Sequence, residues 1–174
     1  MKVTNIRTGK LWSLASFLLM TVPLSIAQNT ASKVMAADMP QALGAPYEQL
    51  QWQTMFPEMG RDSPQLSILR VDPKTGTTQL MIRTPKNMHT PLHWHSANET
   101  HTVIFGTAIF GHEGKLMHLG PGGFNYMPAK MQHEAWTSDG AVLFITVDGA
   151  WDVNWVGNPP SKSDLGQKPP ISPK

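Results

Sequence analysis

Three observations predict an all-β fold, a single antiparallel β-barrel or jelly roll. Short runs rich in β-branched and aromatic residues recur between Gly, Pro, Asn and Asp, at the intervals of a sandwich or barrel. After the first 27 residues no amphipathic stretch is long enough for a packed helix. Turn residues stand where such a fold must reverse, at Asp72-Pro73-Lys74-Thr75-Gly76, Gly120-Pro121-Gly122-Gly123 and Ser138-Asp139-Gly140.

The elements follow in order. A first strand is expected over Leu50 to Gln53 and a second over Leu66 to Val71, which ends at the first of those turns. The third, Thr78 to Thr84, leaves that turn and stops at Pro85. Leu92 to His95 begins after Pro91 and ends at Ser96-Ala97-Asn98. Thr100 to Gly106 and Ala108 to Phe110 are divided by Gly106 itself. Lys115 to Leu119 and Gly123 to Tyr126 flank the glycine-rich turn, and Glu134 to Thr137 precedes Gly140. Val142 to Asp148 and Asp152 to Val156 complete the set before Pro159 and Pro160.

At 174 residues, 40% of them hydrophobic, the sequence suits one domain with segments to spare at its ends, and two large domains are excluded. The absence of Cys removes disulfides, thiolate zinc sites, iron–sulfur ligation and a cysteine nucleophile. Any metal must then be held by imidazole and carboxylate, so the 7 His are the residues to follow. The formal charge of +2 comes from 14 basic and 12 acidic residues. Lys2, Arg7 and Lys10 lie in a segment expected to be removed, and without them 11 basic residues face 12 acidic ones, a balance of −1. Nucleic acid is dropped as a partner, because counterion release has little to act on.

Residues 1–27 read as a signal peptide. A basic start precedes the uncharged run Leu11 to Ala27, which is broken by Ser13, Ser16, Thr21 and Pro23 and ends in Ser25-Ile26-Ala27. The run falls short of the ~20 apolar residues that cross a bilayer. The expected product is exported, periplasmic or secreted, and free of the membrane after cleavage. Residues 28–45 read as a flexible lead-in and 46–156 as the barrel. Residues 157–174, with Pro159, Pro160, Pro169, Pro170 and Pro173, read as a disordered tail.

The informative stretch runs from Pro91 to Gly106. Side chains alternate across a strand, so His93 and His95 emerge on one face with Trp94 on the other. The turn at Ser96-Ala97-Asn98 lets the next strand return alongside and bring Glu99 back towards them. Glu99, His101, Val103 and Phe105 are expected to share that strand's face. A fourth candidate, His133, follows a turn framed by Gly122 and Pro128.

The spacing His-x-His, three residues, Glu, six residues, Gly resembles the first motif of the cupin superfamily. The spacing Gly, five residues, Pro, four residues, His resembles its second. The resemblance covers about residues 87 to 137 and is closest to small single-domain cupins, including those similar to the cupin half of zinc-containing anti-sigma factors (the ChrR-like group). It implies that His93, His95, Glu99 and His133 are metal ligands, holding one divalent Fe, Mn, Ni or Zn ion on strands that line the barrel. Three positions depart from the pattern: Asn87 and Lys130 replace glycines and Thr137 replaces an asparagine. Asn87 tolerates left-handed backbone, whereas Lys130 does so at a cost, so the loop around Lys130 is expected to be reshaped.

His101 and Tyr126 are candidates for proton transfer, although burial beside the ligands for His101 and packing for Tyr126 are the plainer readings. His89, His112 and His118 read as solvated, and the methionines and tryptophans as ordinary core and surface. The function expected is that of an exported mononuclear-metal enzyme acting on a small oxygenated organic molecule. Its chemistry would be dioxygenase-, decarboxylase- or isomerase-like. The alternatives are a non-catalytic cupin that binds or senses a metal or small ligand, and a purely structural barrel. Exposed barrel edges, with the analogy, point to a homodimer.

Overall fold

A computed structural model describes residues 42–170, so the signal peptide and most of the lead-in fall outside the described residues, as do residues 171–174. The compact unit begins at Ala45. Its strands are β1 (Gln53–Thr54), β2 (Gln65–Val71), β3 (Thr78–Thr84), β4 (Met88–Trp94), β5 (Glu99–Gly106) and β6 (Ala108–His112). They continue with β7 (Lys115–Leu119), β8 (Phe124–Met127), β9 (His133–Thr137), β10 (Ala141–Val147) and β11 (Asn154–Trp155). Two antiparallel sheets result, one in the order β1-β2-β3-β10-β5-β8 and the other β11-β4-β9-β6-β7. This is the jelly-roll architecture that the pattern predicts.

The predicted turns form. Asp72 accepts from the amides of Lys74 (2.9 Å) and Thr75 (3.2 Å), and Gly76 takes φ 75°. Gly140 takes φ 77° where β9 turns into β10. In β10 every second residue is buried, namely Ala141, Leu143, Ile145 and Val147. With Leu80, Val103, Ala108, Phe110 and Met127 they form the core between the sheets.

Two bulges set the interior. The β4–β9 register shifts between Thr90 and His93, where Pro91 has no amide to donate to the ladder. The extra residue changes which parity faces inward. Met88 and Thr90 line the interior before the bulge, and His93 and His95 line it afterwards. This proline also hid the true start of β4, which lies at Met88 and not at Leu92. A second shift, between Val142 and Leu143, leaves Ile104 of β5 without a β10 partner. Phe105 is thereby turned outward and is 67% exposed, so it does not share the face of Glu99, His101 and Val103 as expected.

The tail also departs from expectation. Ser161 opens a short 3-10 turn, Lys162–Asp164, through a capping box in which Asp164 accepts from the Ser161 amide at 2.9 Å. Leu165 bridges to Met88, the Gly166 amide donates to the Asn87 carbonyl at 2.6 Å, and Pro160 is buried. Proline density kept these residues out of any ladder, but apolar contact and side-chain caps order them without one.

Candidate metal centre

The β4–β5 turn is held from outside its own hairpin. Asp152 accepts from the Ser96 amide (2.8 Å) and hydroxyl (2.6 Å), and Asp148 accepts from the Asn98 amide at 2.9 Å. Asn98 in turn accepts from the Ala129 amide at 2.9 Å, and the Lys130 amide donates to the His95 carbonyl at 2.8 Å. These bonds tie the loop before β9 to the hairpin and so bring His133 to the other histidines. Lys130 keeps a left-handed φ of 65° and Asn87 one of 54°. Lys130 thus adopts the left-handed conformation despite its side chain, and the bond to His95 offsets a conformational cost of about 1–2 kcal/mol.

His93, His95, Glu99, His101 and His133 converge inside the barrel, all of them buried. Ring centroids lie 4.3 Å apart for His93 and His133, 5.0 Å for His93 and His95, and 5.2 Å for His95 and His133. Ligand-type atoms of His93, His95 and His133 fall within 4.8 Å of one another, and so do those of Glu99, His101 and His133. Donors that share one ion at about 2.1 Å stand about 3–4 Å apart, so each of the two triads, which have His133 in common, has nearly the required span.

Hydrogen bonding outside the cluster aims the rings. Nδ1 of His93 donates to the Pro91 carbonyl (2.7 Å), that of His95 to Asp152 (2.5 Å) and that of His133 to Met131 (3.1 Å). A neutral imidazole so bonded carries its proton on Nδ1 and leaves Nε2 as a bare lone pair. Glu99 is steered in the same way, because its Oε1 accepts from Trp151 Nε1 at 3.2 Å. Its Oε2 lies 2.8 Å from His95 Nε2 and 3.2 Å from His101 Nε2. The angles make neither approach a hydrogen bond, so Glu99 Oε2 and His95 Nε2 are buried without a partner. Buried polar atoms at this spacing call for a cation or proton between them. Three imidazole nitrogens with one carboxylate oxygen, and no thiolate, fit a divalent ion of the Fe, Mn, Ni or Zn kind.

The electrostatics favour neutral His93 and His133 beside a charged carboxylate and set His95 apart. Burial pushes His93 from 6.5 down to about 3, helped by His133, and pushes His133 down to about 4. Burial also opposes charge on His95, but the adjacent Glu99 carboxylate and the Asp152 carbonyl raise it instead. Burial likewise opposes charge on Glu99, yet His101 and His95 hold it well below the usual carboxylate range.

Tyr126 is placed elsewhere. It is 51% exposed and does not line the cavity, because Asn125 and Met127, its neighbours on β8, take the inward positions opposite His101 and Glu99. The role considered for it in proton transfer has no geometry. His89 is not solvated as expected: it stacks on Trp136 at 4.8 Å and meets Glu134 at 3.0 Å.

A cavity of about 80 Å³ opens onto the cluster, walled by Ile82, Phe110, Leu143, Ile145, Trp151 and Trp155 among others. Trp155 also lies against the His93 ring, 5.1 Å between centroids. Trp151, Asp152 and Trp155 touch the cluster or its cavity, and sequence reasoning did not place them there. The dense Trp151-Asp-Val-Asn-Trp155 run was their one visible signal, and nothing in its spacing says what it faces.

A family model described as Domain of unknown function (DUF4437) matches residues 22–154, well over half of the chain. No curated protein matches the sequence. Among solved structures the chain is similar to KdgF from Halomonas sp., at 18% identity and TM-score 0.52 over 62% of this chain and 94% of that one. It is similar to an RmlC-like cupin from Shewanella frigidimarina, at 17% identity and TM-score 0.54 over 63% and 93%. It is also similar to the polyketide cyclase RemF from Streptomyces resistomycificus, at 17% identity and TM-score 0.55 over 72% and 91%. At these identities the likeness establishes the fold.

Proposed function

Because the chain belongs to the family described as Domain of unknown function (DUF4437) and has a cupin-like fold, we propose that it is a mononuclear-metal enzyme acting on a small oxygenated organic molecule. His93, His95, Glu99 and His133 would hold one divalent ion. The observation that carries this reading is the shared commitment of three rings: each gives Nδ1 to a backbone carbonyl and leaves Nε2 free, their ligand-type atoms lie within 4.8 Å of one another, and His95 Nε2 stands 2.8 Å from the unpartnered Glu99 Oε2.

When bound, the ion supplies Lewis-acid polarisation of a coordinated oxygen. The chain's own residues do the rest. Trp151 holds Glu99 Oε1, so that a single carboxylate oxygen faces the cluster and room is left beside it. The apolar wall excludes water from the reacting face. His101 is the one ring in the cluster without an outside commitment, because its buried Nδ1 has no partner. Its Nε2 stands 3.2 Å from Glu99, which suits it to take or give a proton at a molecule bound there. Named enzyme activities among the fold neighbours, such as the polyketide cyclase, support catalysis over passive binding. Oxidation, decarboxylation and isomerisation are the reaction types proposed.

Export is part of the proposal and rests on the basic start, uncharged run and small-residue ending of residues 1–27. An intact Met1 on the native protein would overturn it. The central test is elemental analysis of the purified chain with its His95→Ala variant. The expected result is about one divalent ion per wild-type chain and loss of both metal and thermal stability in the variant. Metal far below one per chain, or a variant that keeps it, would reject the ligand set. Oxygen uptake and product analysis with small diols, keto acids and phenols then separate turnover from binding.

A further inference from the structure

We infer that the molecule taken at this centre is a small chelating monoanion whose remaining atoms are hydrocarbon, with no second charged group. The inference rests on the metal reading above and adds what the cavity wall demands. A buried water needs about 10–15 Å³ of such space, so a cavity of about 80 Å³ accepts about five to eight water-sized groups. The part of the occupant held inside is compact.

Its charge follows from what lines the space. Among the described residues no Lys or Arg faces the cavity, and its one carboxylate, Glu99, belongs to the cluster. The threonine hydroxyls are largely committed: Thr137 donates to the Pro85 carbonyl at 3.2 Å, and Thr84 accepts from the Ala141 amide at 3.0 Å. Beyond the histidines and Thr84, Thr90 and Thr137 the surface is apolar, with Ile82, Phe110, Leu143, Ile145, Trp151 and Trp155 among its residues. A second carboxylate or a phosphate held within the cavity would face these side chains with no cation to pair with. A hydrocarbon remainder is favoured there, because it leaves water for an apolar wall. At the other end, a divalent ion with three neutral imidazoles and Glu99 carries one net positive charge, which one anionic oxygen of a chelating pair balances. The combined demand is one negative head and an apolar body.

The test uses the full chain loaded with Co(II), read by visible absorption and by calorimetry. Two isosteric chelators are compared: 2-hydroxy-3-methylbutanoate, with an isopropyl group, and hydroxymalonate, with a second carboxylate in its place. The monoanion is expected to bind about tenfold or more tightly than the dianion. Equal or tighter binding of hydroxymalonate would overturn the inference, as would the absence of any spectral change with either acid on a cobalt-loaded chain. Failure to take up Co(II) at all would overturn the metal reading beneath it. Ile82→Lys, or Thr84→Lys if the first variant does not fold, should shift the preference towards hydroxymalonate; an unchanged ratio in the folded variant would also count against the inference.

Discussion

The β4–β5 hairpin and the segment 148–165 meet at the same cluster and contribute to it in different currencies. The hairpin supplies donor atoms: His93, His95, Glu99 and His101 all belong to it or to its turn. The later segment supplies none, yet it decides where two of them, His95 and Glu99, point. Trp151 fixes Glu99 Oε1, the Asp152 carbonyl fixes His95 Nδ1, and the carboxylates of Asp152 and Asp148 hold the connecting turn. For Glu99 and His95, identity and direction are thus encoded in separate stretches joined only in the fold, whereas His93 is aimed by Pro91 of its own strand.

The largest expected effect exposes the hairpin's side of this division. In the metal-free protein His93 and His133 sit at about 3 and about 4, against 6.5 for an unperturbed imidazole. The unfolded chain therefore takes up protons first. These two rings contribute stability that is complete above about pH 6.5 and is lost as pH falls through 4 and then 3. His95, raised by Glu99, has the opposite sign: its contribution is present below 6.5 and lost as pH rises through its higher folded value. The His95 contribution is kept throughout the lower range, so His93 and His133 set the slope there and denaturant midpoints of the metal-free chain should drop between pH 6.5 and 4; a flat profile would mean that the rings are hydrated.

Next in size is His133→Ala. Metal stoichiometry should fall towards zero, and with it the metal-dependent rise in stability, about 3 kcal/mol at a hundredfold excess over Kd. Trp151→Phe tests the other region. It keeps the ring and removes the one donor to Glu99, so metal affinity should weaken about 10–100-fold while the metal-free fold survives. Titration with a competing chelator distinguishes the two variants, and an unchanged affinity in Trp151→Phe would show that Glu99 needs no steering.

The difference between the regions explains what sequence reading reached. The period of two in β10, the turn at Asp72–Gly76 and the convergence of His93 with His95 follow from local rules, and the structure has each of them. The inward parity of those histidines has a further cause, because it depends on the bulge at Pro91 and on the β9 strand that reveals it. Phe105 was misplaced for the same reason, since the bulge at Ile104 exists only against β10. Trp151 and Pro160 lie still further from local rules. A tryptophan donor or a buried proline has no periodic signature, and its partner stands 52 residues away in the case of Trp151 and Glu99.

The smallest effect asks whether 148–165 acts as one unit. Asp164 closes the capping box with Ser161, and its second oxygen lies 3.4 Å from His89 Nδ1, so it pins the end of the segment to β4 without touching the cluster. Asp164→Ala should cost about 0.5–2 kcal/mol, the usual loss at a helix cap. If the directing function ends near Trp155, metal affinity stays within about twofold, because sites without shared partners behave additively. A fall as large as that of Trp151→Phe would instead mean that Pro160, buried against the cavity, transmits the loosening inward. The same chelator titration decides, and the second outcome would extend the directing region from the tryptophans to the end of the capped turn.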